Sequence, residues 1–210
     1  MENKLEEALY ARGFSFIAGT DEAGRGPLAG DVFAAAVILP RQFDLPGLND
    51  SKKLTEKRRE KLFYLIQEQA VAFSIARASV SEIEELNILH ASLLAMRRAV
   101  ETLQTRDGKP ISPDCVLVDG NQFPQVSCRV EAIPKGDGLS PSIAAASVLA
   151  KVARDNYMRE LAQKYPQYGF ERHKGYPTKA HYEAVDQYGL CEMHRISFFK
   201  KHKPLAGKIS

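Results

Sequence analysis

The chain has 210 residues, a length that suits one domain with a buried core and is short for two. Hydrophobic residues make up 44% and charged residues 26%, which excludes a disordered or membrane-embedded composition. The net charge of +3 permits nucleic-acid binding without requiring it. No apolar run is long enough for a bilayer, and the acidic, amphipathic start "MENKLEEALY" is unlike a secretory signal, so we expect a cytoplasmic protein.

The cysteines and histidines do not show a metal-binding pattern. Three cysteines are an odd number and lack a CxxC pair, which indicates reduced thiols rather than disulfides or a zinc site. The spacing of His173, His181 and His194 also fits no common zinc site. We therefore expect these histidines at the surface or in supporting positions.

The first half of the chain predicts three strands and one helix. "FSFIAGT" and "DVFAAAVILP" are short apolar runs separated by a Gly and Pro cluster, which predicts two strands joined by a turn. "AVAFSIARASV" alternates apolar and polar residues, as in a strand with one wet face. Between the second and third strands, "LTEKRREKLFYLIQEQ" places Leu62, Leu65 and Ile66 on one face of an amphipathic helix.

A long helix and two further strands are predicted next. Ser81 and Glu84 have the spacing of a capping box, and apolar residues recur at helical intervals from Ile83 to Leu103. "CVLVDGN" predicts a buried strand that ends on Asp119, and "QVSCRVEAIP" predicts another strand. Helical spacing then returns in "LSPSIAAASVLAKVARDNYMRELAQKY" and "PTKAHYEAVDQYG", where small residues in the first helix favour close packing on a sheet.

This order of elements predicts an α/β fold with a mixed β-sheet flanked by helices. We expect a single domain over residues 1–210. Within it, roughly residues 157–210 should form a helical C-terminal part packed beside the sheet.

Carboxylates stand at three places where an apolar segment gives way to glycine: Asp21 with Glu22, Asp119 in "LVDGN", and Asp137 in "PKGDGLS". Each Asp taken alone would more often start a turn or cap a helix. Strand ends converge at one edge of an α/β sheet, however, and together these residues can form an acidic cluster that suits Mg²⁺. Because adjacent strand residues point to opposite faces, Asp21 and Glu22 can share a site only if the strand ends or bulges there.

Six motifs occur in a fixed order along most of the chain: "DEAGRGPLAG", "NDSKKLT", "VDGN", "KGD", "SIAAASVLAKVARD" and "HKGYPT". In this order they resemble the type 2 ribonuclease H family, ribonuclease HII, of bacterial form. The resemblance implies a ribonuclease H-like fold and an endonuclease that cuts the RNA strand of RNA–DNA hybrids. It also implies cutting 5′ to a single ribonucleotide in duplex DNA, with 3′-hydroxyl and 5′-phosphate ends.

The resemblance places the family's catalytic and metal-binding carboxylates on Asp21, Glu22, Asp119 and Asp137. The implied cofactor is Mn²⁺ or Mg²⁺, with two ions when substrate is bound, because two metals can clamp the attacking and leaving oxygens of a phosphodiester. Asp155, in "ARD", is the second choice for the fourth carboxylate and otherwise a supporting residue.

By the same resemblance, Gly24, Arg25 and Gly26 recognise the 2′-hydroxyl, the group that distinguishes RNA from DNA. Two of these residues lack a Cβ, so their backbone can approach a sugar closely. A glycine turn between two strands would serve both this purpose and the fold. Tyr176 carries over as the residue that stacks on the following deoxynucleotide and senses the RNA-to-DNA junction. Without its motif, a Tyr before Pro would be an ordinary packing residue.

Basic residues gather in "DSKKLTEKRREK", "ERHKGYPTK" and the tail "FFKKHKPLAGK", although such runs are usually solvated faces. Phosphate contacts that position a duplex without reading its sequence are expected from Lys52, Lys53, Ser147 and Lys151. We expect a monomer that binds RNA–DNA hybrids and ribonucleotide-containing duplex DNA and does not bind membranes. The tail carries too little to predict a partner such as a sliding clamp.

Two alternatives stay open. Type 3 ribonuclease H belongs to the same enzyme class, but by family knowledge it carries an N-terminal substrate-binding extension, for which the chain leaves no room before Phe14. A catalytically silent hybrid-binding module would keep the basic surface, and the filled acidic positions argue against it. Metal-dependent nicking of a labelled substrate separates an enzyme from such a module.

Overall fold

A six-stranded sheet with helices on both faces forms the core of the computed structural model, which describes residues 1–199. The strands are β1 (Ile17–Ala23), β2 (Val32–Ile38), β3 (Ala72–Ala78), β4 (Gln104–Thr105), β5 (Cys115–Asp119) and β6 (Arg129–Ile133). The helices are α1 (Lys4–Ala11), α2 (Glu56–Gln69), α3 (Val80–Glu101), α4 (Pro141–Lys164), α5 (Phe170–His173) and α6 (Lys179–Tyr188). Short 3₁₀ turns cover Ser51–Lys53, Gly136–Gly138, Pro166–Tyr168 and Ile196–Phe199.

The sheet is mixed, which confirms the predicted fold class. Its strand order is β4-β3-β2-β1-β5-β6. The pairs among β1, β2, β3 and β4 are antiparallel, whereas β5 runs parallel to both β1 and β6. Since neighbouring parallel strands end at the same edge, β1 and β5 bring their carboxyl-terminal residues together there.

Two helices cover the two faces of the sheet. Buried residues of α3 pack on one face, and the alanine-rich first half of α4 packs on the other, where Ala144, Ala145 and Ala146 are fully buried. Gly19 of β1 shows how close the second contact is, because a Cβ there would lie 2.2 Å from the backbone nitrogen of Ile143. The small residues of α4 therefore let it approach β1 closely, as predicted.

Strand β1 differs from its predicted position. It begins at Ile17 rather than at Phe14, because the amides of Ser15 and Phe16 bind the carboxylate of Asp114 at 2.8 and 3.1 Å instead of a strand partner. The strand also continues beyond the predicted end.

The continuation carries both acidic residues of β1. Asp21 and Glu22 stand in regular register with Ala35 and Ala34 of β2, and β1 ends at Ala23. The strand therefore ends one residue after Glu22 and does not bulge, which meets the first of the two conditions under which neighbouring carboxylates can share a site.

The capping box of α3 lies two residues earlier than predicted. The Ser79 hydroxyl accepts from the Glu82 amide, and the Glu82 carboxylate accepts from the Ser79 amide at 2.8 Å. Ser81 and Glu84 have the same spacing but lie inside the helix. At Asn87 the helix is kinked, with φ 67° and ψ 165°, and the Asn87 carboxamide oxygen accepts two amide hydrogen bonds from the following turn.

The remaining helices follow the sequence more closely. Helix α6 begins after its cap Thr178 and ends before Gly189, as predicted, and α4 spans most of its predicted segment. Residue 157, the expected start of the C-terminal part, lies inside α4, and the short helices after α4 pack around an aromatic cluster. Strand β6 covers only half of its predicted run. The tail prediction falls mainly on residues 200–210, outside the described residues.

Across residues 1–199, no helix combines the length and apolarity that a membrane span requires.

Candidate metal centre and nucleic-acid interface

Three carboxylates meet at the shared edge of β1 and β5. Asp21 comes from β1, Asp119 is the last residue of β5, and Asp137 lies in the 3₁₀ turn after β6. Each offers a carboxylate oxygen, and these oxygens all lie within 4.8 Å of one another. We call these three residues the acidic triad.

Local interactions hold the triad in place. The Asp119 carboxylate accepts a hydrogen bond from the amide of Gly136 at 2.6 Å, which ties the end of β5 to the turn that carries Asp137. A Cβ at position 136 would lie 2.5 Å from the end of the Ile143 side chain and 3.2 Å from the Cβ of Ile133, so a larger residue there would require Ile143 to shift. The Asp21 carboxylate accepts from its neighbour's amide at 2.7 Å and from the hydroxyl of Ser147 on α4.

The triad concentrates negative charge in a buried place. Burial raises the pKa of Asp21 well above its usual value, and the charges of Glu22 and Asp119 raise it further. Burial also raises the pKa of Asp137, with Asp119 and Asp50 acting in the same direction. Crowded carboxylate oxygens without a matching positive charge are the donor set that a hard divalent cation prefers, so the residues present fit Mg²⁺ or Mn²⁺.

Glu22 lies beside the triad rather than in it. Its carboxylate is 3.5 Å from Arg25, and its side chain is 16% exposed. Burial raises the pKa of Glu22, Arg25 lowers it, and Asp119 raises it. Glu22, Arg25 and Asp119 line one groove together with Asn121. Glu22 is thus a neighbour of Asp119, which is a member of the triad.

Asp155 is placed differently. It is buried in α4, where its carboxylate lies 2.5 Å from the ammonium of Lys151 and 4.0 Å from the guanidinium of Arg59. These two cations compensate its charge. Among residues 1–199, the carboxylate cluster that could hold a metal contains Asp137 and not Asp155. The geometry therefore favours Asp137 as the metal-binding position.

The four predicted phosphate-contacting residues divide into two groups. Lys52 and Lys53 are exposed, and the Lys52 ammonium lies 4.0 Å from the Asp137 carboxylate. Partial burial lowers the pKa of Lys52, but Asp21 and the other nearby carboxylates outweigh it and raise that pKa above its usual value. The ammonium therefore stays charged next to the triad.

Ser147 and Lys151 point into the protein. Ser147 is 3% exposed, and its hydroxyl lies 2.8 Å from that of Ser51 as well as against Asp21. The Lys151 ammonium contacts Asp155, and its side chain is 22% exposed. The predicted phosphate contact by Ser147 thus lacks an accessible hydroxyl, and Ser147 instead supports Asp21.

The glycine loop after β1 meets Tyr176. A Cβ on Gly26 would lie 3.7 Å from the Tyr176 ring, so the ring stands directly beside the loop. Tyr176 is 41% exposed, and the guanidinium of Arg154 lies 6.0 Å from its ring centroid. Gly24 has φ +100°, and a Cβ there would lie 2.0 Å from Arg154. Glycine at position 24 is therefore required by both conformation and space.

Sequence reasoning missed two buried arginines, Arg154 and Arg195, which are 1% and 0% exposed. Arg154 donates to the carbonyls of Ala29, Asp31 and Lys174 at 3.1 to 3.2 Å. The one signal for Arg154 in the sequence is its place in the motif "SIAAASVLAKVARD", where the prediction concerned Asp155 instead. Arg195 precedes a basic tail and resembles any solvated charge in the sequence.

Of the two positions expected for the histidines, the structure shows the supporting one rather than the surface one. His181 and His194 are 0% and 2% exposed, with their Nε2 atoms 3.1 Å apart, and the His173 ring stacks on His181 at 4.5 Å. His181 Nδ1 lies 3.0 Å from the Tyr176 carbonyl, so this cluster supports the segment that carries Tyr176. The expected surface position is wrong for His181 and His194.

The mixed sheet, with acidic residues at the ends of β1 and β5, has the ribonuclease H fold. A structure of ribonuclease H2 from Pyrococcus horikoshii OT3 aligns with a TM-score of 0.70 and 27% identity over 87% of this chain and 93% of that one. Residues 18–201 match the family model for Ribonuclease HII. The chain therefore belongs to the ribonuclease HII family, a family of endonucleases, which confirms the resemblance of its motifs.

Curated relatives support the same assignment. Ribonuclease HII of Caldicellulosiruptor bescii is 53% identical over 197 residues, covering 94% of this chain and 93% of that protein. Ribonuclease HII of Acinetobacter baylyi is 60% identical over 183 residues, covering 87% and 94%.

The type 3 alternative shares the fold only. The structure of Bst-RNase HIII in complex with Mn²⁺ aligns with a TM-score of 0.57 at 18% identity, over 87% of this chain and 66% of that one. The match to the Ribonuclease HII family model decides between the two types.

Proposed function

We propose that this protein is a divalent-metal-dependent endonuclease that hydrolyses the RNA strand of RNA–DNA hybrids. It also cuts 5′ to single ribonucleotides embedded in duplex DNA and leaves 3′-hydroxyl and 5′-phosphate ends. One observation carries the proposal: an acidic triad built from three separate elements includes Asp21 of β1, and the glycine loop that follows β1 has Gly26 beside the exposed ring of Tyr176.

The triad is the part of the chain that would hold the metal. Asp21, Asp119 and Asp137 would bind Mg²⁺ or Mn²⁺, with Glu22 beside Asp119 available to the same site, and we expect two ions when substrate is present. A bound divalent ion supplies Lewis-acid stabilisation of the charge that develops on the scissile phosphate. Ser147 and Gly136 orient Asp21 and Asp119 by direct hydrogen bonds.

The exposed lysines would hold the duplex. Lys52 stands on the 3₁₀ turn Ser51–Lys53, which is fixed by a hydrogen bond from its amide to the Asp50 carboxylate at 2.9 Å. Its ammonium lies next to the triad, 4.0 Å from the Asp137 carboxylate, and Lys53 is exposed on the same turn. Contacts from these two residues to phosphates would set the register of the duplex without reading its bases.

Selectivity for RNA is assigned to the glycine loop and Tyr176. The backbone at Gly24, Arg25 and Gly26 can meet a sugar at close range and offer hydrogen bonds to its 2′-hydroxyl. Tyr176 has an exposed ring next to Gly26, where it would stack on the following deoxyribose.

Mapping of cleavage products tests this function. Three labelled duplexes of one sequence are compared: all DNA, DNA with one ribonucleotide, and a continuous hybrid. We expect cleavage only of the two ribonucleotide-containing duplexes, only with Mg²⁺ or Mn²⁺, and 5′ to the single ribonucleotide. Binding without cleavage by the folded protein would instead support a hybrid-binding module, and cutting of all-DNA duplex would contradict selectivity. The monomeric state and the cytoplasmic location stay predictions from sequence.

A further inference from the structure

Arg195 is a fully buried arginine whose guanidinium group lies inside the loop of residues 24–30. Its Nε donates to the carbonyl of Gly30 at 2.9 Å, and its Nη1 donates to those of Arg25 and Pro27 at 3.1 and 2.9 Å. Its Nη2 donates to the carbonyls of Gly24 and Gly30 at 2.7 and 2.6 Å. All five N–H donors of the guanidinium are thus used, and all bind main-chain carbonyls.

The charge of Arg195 is compensated by these carbonyl dipoles. Asp31 is close enough to act electrostatically on Arg195, but its carboxylate forms an ion pair with Arg77, at 3.3 Å, and not with Arg195. Removing a cation from water is unfavourable unless its donors are satisfied, and the planar fork of arginine directs its five donors to four carbonyl oxygens in a fixed arrangement. A lysine at this place has three donors and a different geometry, so it cannot reproduce the set.

Main-chain hydrogen bonds hold only the second half of the loop. The Leu28 amide donates to Gly175, the Gly30 amide donates to Met193, and the Arg195 amide donates to Leu28, each at 2.8 Å. In the described part of the chain, the carbonyls of residues 24, 25 and 27 are hydrogen-bonded by the Arg195 side chain alone. This side chain therefore fixes the half of the loop that contains Gly24 and Gly26.

The hydrogen bonds to Arg195 also set the direction of the loop amides. In a trans peptide, the N–H points opposite to the C=O of the same peptide unit. Because the carbonyls of Gly24 and Arg25 point at the buried guanidinium, the amides of Arg25 and Gly26 point away from it. Both residues are exposed, and neither amide donates a hydrogen bond within residues 1–199.

We propose that Arg195 is a positioning residue for RNA recognition: it turns the two peptide units after Gly24 so that the amides of Arg25 and Gly26 face the ribose. The inference rests on the proposed function of this loop. Arg195 would act without touching nucleic acid, from a segment about 170 residues further along the chain.

A binding comparison tests this role. Asp119→Asn is used as the common background to prevent cleavage, and affinities are measured with Mg²⁺ for a one-ribonucleotide duplex and for all-DNA duplex. Adding Arg195→Lys should reduce the preference for the ribonucleotide about tenfold or more. Affinity for the all-DNA duplex and its salt dependence should stay the same, because the phosphate contacts are unchanged.

Val185→Ala is the matched control, since Val185 is a buried residue of the C-terminal cluster and its side chain has no hydrogen-bonding group, so the change removes packing without removing a hydrogen bond to the loop. It should lower the melting temperature and keep the preference. If Arg195→Lys keeps the preference, or if Val185→Ala loses as much, Arg195 has no role beyond stability. If the Asp119→Asn background itself shows no preference, the assigned function of the loop fails before Arg195 is tested.

A second measurement does not depend on whether Arg195→Lys folds. Hydrogen exchange of the Arg25 and Gly26 amides is followed by NMR in the otherwise unchanged Asp119→Asn protein. Fast exchange in the free protein and slowing with the one-ribonucleotide duplex, but not with all-DNA duplex, are expected. Slow exchange of both amides in the free protein would show that they do not face solvent and would overturn the proposal.

Discussion

At the scale of single residues, the site is defined by charges that the fold places close together. Asp21 is buried between Glu22, Asp119 and the hydroxyl of Ser147, and its pKa is raised by burial first and by its acidic neighbours second. A carboxyl group whose pKa is higher in the folded than in the unfolded chain lowers stability once the pH rises above the unfolded value. The metal-free protein is therefore under electrostatic strain at neutral pH.

Asp21→Asn should remove part of this strain. We expect the free energy of unfolding of the metal-free protein to rise by about 1 kcal/mol at pH 7, because the amide keeps the shape without the charge. Thermal melting with and without Mn²⁺ measures both effects: Mn²⁺ should stabilise the wild type and not the variant. Asp44→Asn, which changes an exposed carboxylate, is the control. An equal Mn²⁺ shift in wild type and Asp21→Asn would contradict metal binding by the triad.

Tyr176 separates a functional from a packing role. Because its ring is 41% exposed, Tyr176→Ala should barely change stability. It should lower the rate on a single embedded ribonucleotide about 10- to 100-fold, as expected for losing about 1–3 kcal/mol of contacts in the transition state. Melting temperatures and initial rates on one-ribonucleotide and continuous hybrids measure this, with Tyr64→Ala as an exposed control. A loss of about 3–5 kcal/mol of stability with unchanged substrate preference would indicate a core role.

At the scale of elements, the sequence makes some strand ends and turns predictable, and part of the site could be predicted from them. The convergence of Asp21 and Asp119 follows from a parallel strand pair that apolar runs and glycines indicate. The close fit of α4 on β1 follows from its small residues. The capping box of α3 was misplaced because Ser79 and Ser81 both have a glutamate three residues later. Only the end of the preceding strand determines that Ser79 is the cap.

Other features depend on contacts between distant residues and could not be read from the sequence. Ser147 is buried because it faces the turn at Ser51, about 100 residues earlier. Arg195 is buried because the loop of residues 24–30 folds around it. In both cases the residue type suggested solvent exposure, and only the tertiary structure reverses that expectation.

The 3₁₀ turn Ser51–Lys53 is the element that should carry the salt dependence of binding. Lys52→Ala combined with Lys53→Ala should flatten the fall of affinity with ionic strength, by up to about two units of the logarithmic slope, because fewer counterions are released. Binding of a hybrid by the Asp119→Asn background over a range of KCl concentrations measures the slope. The control is Lys57→Ala combined with Lys61→Ala, which removes the same amount of positive charge from α2 rather than from the turn. If the Lys52 and Lys53 variant keeps the full slope, the turn does not bind phosphate.

At the scale of the whole molecule, the C-terminal helices complete the site on the sheet. In the histidine cluster at their centre, the hydrogen-bond partners determine which ring nitrogens carry protons. His181 Nδ1 donates to the Tyr176 carbonyl, its Nε2 accepts from His194 Nε2, and His194 Nδ1 accepts from the amide of Cys191. This arrangement requires both rings to be neutral. Burial lowers the pKa of His181 and of His194 to about 4.

The cluster predicts a loss of stability in acid. Both histidines are neutral in the folded and unfolded chain above their usual pKa near 6.5, so the cluster contributes fully there. As the pH falls from 6.5 to about 4, the unfolded chain gains protons that the folded chain excludes. The free energy of unfolding should fall by up to about 3 kcal/mol for each ring over this window, at about 1.4 kcal/mol per pKa unit.

Urea unfolding between pH 4 and pH 7 measures this effect. His194→Asn should reduce the pH dependence, whereas His90→Asn, which changes an exposed histidine of α3, should leave it unchanged. A pH dependence that persists undiminished in His194→Asn would assign the acid sensitivity to other groups.

The proposed function requires Asp21, Asp119 and Asp137 to hold the metal for cleavage beside a ribonucleotide. The most direct test is the rate of nicking of a one-ribonucleotide duplex as a function of Mn²⁺ concentration, compared for wild type, Asp137→Asn and Asp155→Asn. We predict saturable, metal-dependent cleavage by the wild type, a loss of about 100-fold or more in Asp137→Asn, and metal-dependent cleavage retained in Asp155→Asn. Near-normal turnover by Asp137→Asn at saturating Mn²⁺, with activity lost in Asp155→Asn instead, would show that Asp155 and not Asp137 binds the metal.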